Sequence, residues 1–229
     1  MGRYTAARQL FERALKLEIA SLGQRNERVA TTMGNLALVD ARLGDYGSAA
    51  REHARAIALW ERVLGRDHPF VALALMDLAA VYREQGSPYQ ALLLLERALV
   101  IRERSLGPEH RDVASTLSDL ATTLTLLGRT ARAQSLAARA IEIWDRTDTP
   151  EAPEFAKVLR VYADLQSERG EADVAKRYYD RALAIQEKDL GRLHPAFAET
   201  EIRLAAVQAA LGNGDAAIDS ALEADTTGR

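Results

Sequence analysis

The sequence predicts an all-α fold, an α-solenoid in which about 11 helices pair into stacked hairpins. Three observations predict it. Shifted by 42 residues, the chain matches itself repeatedly, most clearly over the stretch 64–105, and self-similarity at a fixed period of this size marks a stacked array. Glycines keep register: Gly2, Gly44, Gly86, Gly128, Gly170 and Gly212 share one column, and Leu22-Gly23, Leu64-Gly65, Leu106-Gly107 and Leu190-Gly191 share another. Alanines do the same, with Ala37, Ala79, Ala121, Ala163 and Ala205 in first helices, and with Ala7, Ala49, Ala91, Ala133, Ala175 and Ala217 in second helices. A third alanine column runs through Ala14, Ala56, Ala98, Ala140, Ala182 and Ala224. Alanine at a crossing lets two helix axes approach at the near end of the usual separation.

Taken in order, the chain opens on a lone second helix, 3–21, with no first helix before it. Hairpins follow at 27–43 and 46–62, 69–85 and 88–104, 111–127 and 130–146, 151–169 and 172–188, and 195–211 and 214–225. Within 64–105, Val71, Leu75, Leu78, Ala79 and Tyr82 mark the first helix by their spacing, and Ala91, Leu94, Leu95, Ala98, Leu99 and Ile101 mark the second. Gly86 suits the end of a helix, Ser87-Pro88 supplies a cap and a first-turn proline for the next, and His68-Pro69 does the same for the first helix. Repeat four is eroded, with Asp148-Thr149-Pro150 where its neighbours carry Leu-Gly, so the array is expected to bend or loosen there. The unbroken repeat argues for one array over 1–229: a half repeat 2–21, repeats 22–63, 64–105, 106–147, 148–189 and 190–225, and a polar tail 226–229.

Composition excludes several function classes. The chain has no cysteine, hence no disulfide, thiolate metal site or cysteine nucleophile. Its most apolar run, 91–101, is interrupted by Glu96 and Arg97, so no segment is expected to span a bilayer. No secretory signal precedes the first amphipathic pattern, and a cytoplasmic location is expected. Net charge is −3, weak and of the wrong sign for general nucleic-acid binding. It is unevenly spread: residues 1–147 hold 20 Lys+Arg against 17 Asp+Glu, residues 148–229 hold 10 against 16.

The columns resemble the tetratricopeptide repeat, and LGPEHRDVASTLSDLA, residues 106–121, resembles the long kinesin light chain type of that repeat with its LGxxHPxVA…NLA pattern. HEAT and armadillo arrays share the period without this glycine and alanine grammar. The resemblance implies a right-handed superhelix whose first helices line a concave groove. By that implication the inward residues are Thr31, Asn35 and Arg42; Met76, Asp77 and Arg83; Ser115, Ser118, Asp119 and Thr122; Lys157, Arg160 and Asp164; and Arg203. The family's asparagine stands as Asn35 and gives way to Asp77, Asp119, Val161 and Arg203. Lys157, Arg160 and Arg203 form a basic group that would take an acidic stretch, while Asp77 and Asp119 stand toward the other end.

Other residues of interest read as structural. His68, His110 and His194 share a column just before first helices, and no completing ligand set points to metal. His53 occupies the core column of Phe11, Leu95 and Tyr179, and Asp40 the column of Tyr82 and Leu124; an Asp40–His53 contact would satisfy both. Trp60 and Trp144 share a column with Glu18, Arg102 and Gln186, which is expected to face solvent, the rings covering the following connectors. Gly212-Asn213-Gly214-Asp215-Ala216-Ala217 imitates a dinucleotide fingerprint, but a helix, not a strand, precedes it. No nucleophile stands near a base, no cofactor is implied and no enzyme activity is expected.

The expected function is therefore a protein-interaction module holding a peptide or helical segment in its groove. Two other readings stand beside it: self-association through the uncapped helix 3–21, whose Leu10, Phe11, Leu15 and Leu17 lack a covering hairpin, and a sensor segment of a larger signalling protein. Protein or peptide is the expected partner, not nucleic acid or membrane.

Overall fold

Helix after helix follows from the repeated residue types. The structure, a computed structural model, describes residues 2–147 and 152–212. Its described elements are α1 (Gly2–Leu22), α2 (Glu27–Arg42), α3 (Tyr46–Leu64), α4 (Pro69–Glu84), α5 (Pro88–Leu106), α6 (Arg111–Leu126), α7 (Thr130–Asp145), α8 (Pro153–Glu168), α9 (Ala172–Leu190) and α10 (Pro195–Ala210). All begin and end within two residues of the positions that spacing predicts. The expected helix 214–225, the polar tail, Asp148-Thr149-Pro150 and nearly all of the fingerprint-like run lie outside the described residues.

First helices start on a side-chain acceptor. His68, His110 and His194 are the N-caps of α4, α6 and α10, and in each the Nδ1 accepts the backbone N–H two residues on, at 3.2, 3.1 and 3.2 Å. Asn26 does the same for α2 with its Oδ1, at 2.9 Å. Ala152, in the corresponding place before α8, has no side chain to offer. Second helices are less consistent. Asp45 caps α3 by accepting from the Ser48 backbone N–H at 3.0 Å, whereas Ser87, expected to cap α5, makes no side-chain capping bond and leaves Pro88 to start the helix. Between α4 and α5 the chain reverses at Gly86, whose φ is +71°. There the Ser87 N–H donates to the Tyr82 carbonyl at 2.8 Å and the Gly86 N–H to Arg83 at 2.9 Å, satisfying carbonyls that the helix end leaves free.

The helices pack as two compact units, Met1–Pro108 and Glu109–Arg229. In the first, α2 lies against α3 and α4 against α5, and α1 packs on α2. Its core joins Val29, Met33, Leu59 and Trp60 to Val71, Leu75, Leu78 and Ile101. Ala37, Ala49, Ala56, Ala79, Ala91 and Ala98 are fully buried there. In the second unit, α6 packs on α7, α8 on α9 and α9 on α10; Tyr179, Leu204 and Val207 gather around Ala163 and Ala175. Phe155 is buried and stacks on Trp144 with ring centroids 5.5 Å apart. Full burial of these alanines is what permits the close crossings, and a larger side chain in their place would overpack the contact.

Two expectations about buried polar positions are corrected. Asp40 and His53 are buried, at 2% and 1% exposure, yet they do not satisfy one another. Asp40 instead meets Arg8 of α1, Oδ1 to Nε 3.0 Å, an ion pair that ties the first helix onto α2, and neither ring nitrogen of His53 has a partner. The column of Trp60 and Trp144 does not face solvent: both rings are buried, as are Arg102 and Gln186. Trp60 packs on Phe70 at 5.1 Å as Trp144 packs on Phe155, so each ring closes over the start of the first helix that follows its connector.

Candidate functional site

Adjacent first helices α2 and α4 place their polar and apolar side chains along one face of the first unit. Thr31, Asn35 and Leu38 follow one another up α2, and Leu73 and Asp77 stand one turn apart on α4. Between them opens a cleft of about 260 Å³ lined by Thr31, Asn35, Leu38, His53, Trp60, Phe70, Leu73 and Asp77. A second cleft, of about 350 Å³, shares Leu38 and Asp77 with the first and continues past Arg42, Tyr46, Val81 and Glu84. Leu38, Phe70 and Leu73 are exposed at 46–49%, an apolar strip edged by amide and carboxylate groups.

Of the residues named from the sequence in this unit, Thr31, Asn35, Arg42 and Asp77 line this pair of clefts. Met76 turns the other way and packs against the core, and the half-buried Arg83 lines neither cleft. His53 is the residue that sequence reasoning left out of the site. Its signal was visible, a polar side chain in a core column, but the column alone does not say that the core is open to a cleft there. Burial holds its imidazole down to about pH 4, so at neutral pH it is uncharged and offers one N–H donor and one lone-pair acceptor.

In the second unit the named residues pair with one another instead of standing open. Lys157 Nζ donates to Asp119 Oδ1 at 2.7 Å, and Arg160 Nη1 to Glu199 Oε1 at 2.7 Å. Arg203 bridges Asp164 Oδ1 and Glu199 Oε1, at 3.2 and 3.1 Å. The Tyr179 hydroxyl donates to Asp164 Oδ1 at 2.6 Å; burial first, then that bond and the Asp164 charge, push its pKa up. Burial works against ionisation of Glu199, but Arg160 and Arg203 overcome it and hold its carboxyl low. The basic group expected to receive an acidic stretch is thus neutralised across α6, α8 and α10. Ser118 and Asp119 are buried, Ser115 is half-buried, and the half-buried Thr122 hydroxyl donates to the Ser118 carbonyl at 3.0 Å. Among the described residues no group of three His, Cys, Asp or Glu is placed to hold a metal ion, and no helix is long and apolar enough to cross a membrane.

Stacked helical hairpins with a small-residue grammar and an exposed face on the first helices define the α-solenoid class. The tetratricopeptide-repeat model matches residues 1–59, 28–102 and 70–146, more than half of the chain, and the chain belongs to that family. Solved structures agree on the fold. BtubC (BKLC) from P. vanneervenii superposes with a TM-score of 0.78 at 24% identity, over 99% of this chain and 90% of that one. A putative kinesin light chain from Podosopora anserina, with nearly identical TPR-like repeats, gives 0.71 at 22%, over 88% and 94%. MamA gives 0.55 at 17%, over 84% and 94%. No curated protein matches. Long repeats of kinesin light chain type are therefore the fold of this chain, and tetratricopeptide repeats in general serve as protein-interaction modules or scaffolds.

Proposed function

We propose that the chain binds a peptide or short helix of a partner protein on the α2/α4 face of its first unit. The observation that carries this is the coincidence of the exposed strip Leu38, Phe70 and Leu73 with Thr31, Asn35 and Asp77 along one cleft. Apolar anchors supply the area and polar rims the register, as in other grooves that take a helix or an extended segment. In the second unit Lys157, Arg160 and Arg203 already have carboxylate partners and offer no comparable open face. Leu73→Glu places a charge in the strip at an already exposed position. Capture from the native lysate on immobilised protein should yield a partner that wild type retains and Leu73→Glu loses while its melting temperature stays unchanged. Equal retention by both rejects the assignment.

Self-association is a second reading, favoured by α1. No residue of that helix is buried, and Leu10 and Leu17 are exposed at 68% and 61%. Sedimentation that shows a concentration-dependent dimer, reduced to monomer by Leu10→Asp with Leu17→Asp, would support it; a monomer at all concentrations would dismiss it.

A further inference from the structure

A different cleft, on the opposite side of α2 from the proposed peptide face, carries charge that the other repeats neutralise. It has a volume of about 360 Å³ and lies where the end of α1, the connector after it, α2 and the second half of α3 meet. Its apolar floor includes Ile19, Met33 and Leu59, and Arg25, Arg55 and Arg62 stand around it.

The repeat shows what is missing. Arg97, one period after Arg55, pairs with Glu61 of the preceding second helix at 2.6 Å, and Arg181, three periods after Arg55, pairs with Asp145 in the same way. Arg104 and Arg146, one and two periods after Arg62, face the connector carboxylates Asp67 and Glu109, at 3.9 and 2.7 Å. In the first repeat both carboxylate positions are replaced: Ile19 holds the place of Glu61 and Asp145, and Arg25 that of Asp67 and Glu109. Arg55 falls back on Glu52 of its own helix, at 2.8 Å. Among the described residues Arg62 donates only to its own helix, Nε to the Ala58 carbonyl at 3.2 Å, and Arg25 has no carboxylate partner. Two guanidinium groups are therefore unanswered beside an apolar floor, in the one described repeat where the internal acids are absent.

We infer that this cleft is a second binding site, and that its ligand is an acidic, amphipathic segment of a partner protein whose neighbouring carboxylates answer Arg25 and Arg62. The ligand class follows from the groups replaced: elsewhere the same arginines are met by Asp and Glu side chains, and arginine's planar fork matches a carboxylate in two places at once. Ile19, standing where an acid would stand, makes room for an apolar side chain of the same segment. This site stands apart from the α2/α4 face and does not rest on it.

The test uses the full chain and a fluorescein-labelled octapeptide of alternating glutamate and leucine, followed by fluorescence anisotropy at low salt. Wild type should bind it, with affinity falling as salt rises. Ile19→Glu combined with Arg25→Asp, which rebuilds the pattern of the other repeats, should weaken binding about tenfold or more without lowering the melting temperature. Arg62→Gln should weaken it as well, and Leu73→Glu on the other face should not. Undiminished binding by the rebuilt variant and by Arg62→Gln overturns the site. Equal binding of a glutamine–leucine peptide, or displacement of the acidic peptide by inorganic phosphate at comparable concentration, overturns the ligand class.

Discussion

His53 combines full burial with unbonded ring nitrogens, and its titration is consequently coupled to folding. In the unfolded chain the imidazole takes up its proton near pH 6.5; in the folded chain it does so at about 4. Between these values the unfolded state holds the additional proton, so the stability due to a neutral His53 is complete above pH 6.5 and declines as the pH falls toward 4. The loss approaches a limit on the order of 3 kcal/mol. Urea midpoints measured across that window should slope for wild type and flatten for His53→Phe. Asp40, raised by burial against the pull of Arg8, titrates with the opposite sign at the acid end and is shared by both proteins. At Gly86 the cost is conformational. Open space surrounds the position an added Cβ would take, but φ is +71°, so Gly86→Ala should lower stability by about 1–2 kcal/mol in a thermal melt with helicity unchanged.

Among the described first helices, α8 is the one that starts without a side-chain cap. Ala152 already has the extended backbone of an N-cap, φ −67° and ψ 139°, with no acceptor, whereas Asn26 and the three histidines cap their helices. Ala152→Asn should therefore stabilise the protein by about 1 kcal/mol, read from the denaturant midpoint. Helix limits were legible because glycine, proline and cap residues recur at fixed places and each acts locally. The tryptophan column was misread for the opposite reason. Its polar members Arg102 and Gln186 suggested solvent, but a second-helix position beside the next first helix is covered by a neighbour that the repeat's own spacing does not reveal. The candidate site was half legible. Thr31, Asn35 and Asp77 line one cleft because the period is constant, while the pairing of Arg160 and Arg203 depends on Glu199, a residue no motif singles out, placed by the stacking of α8 and α10.

For the whole molecule, stability in a repeat array is approximately a sum over hairpins and their nearest neighbours. The first unit has its own core, so Met1–Pro108 expressed alone should melt cooperatively at a lower temperature, with the helical circular dichroism of its five helices retained; a flat, non-cooperative melt would show that it borrows its stability. The two tryptophans bear directly on this question. Trp60 and Trp144 are the chain's complement of indoles, one in each unit, each buried against a phenylalanine. The fold has thereby installed an optical reporter in each half at equivalent depth. With Trp144→Phe the emission of the protein follows the first unit alone, with Trp60→Phe the second, and the wavelength at which each moves to the red times the opening of one half independently of the other.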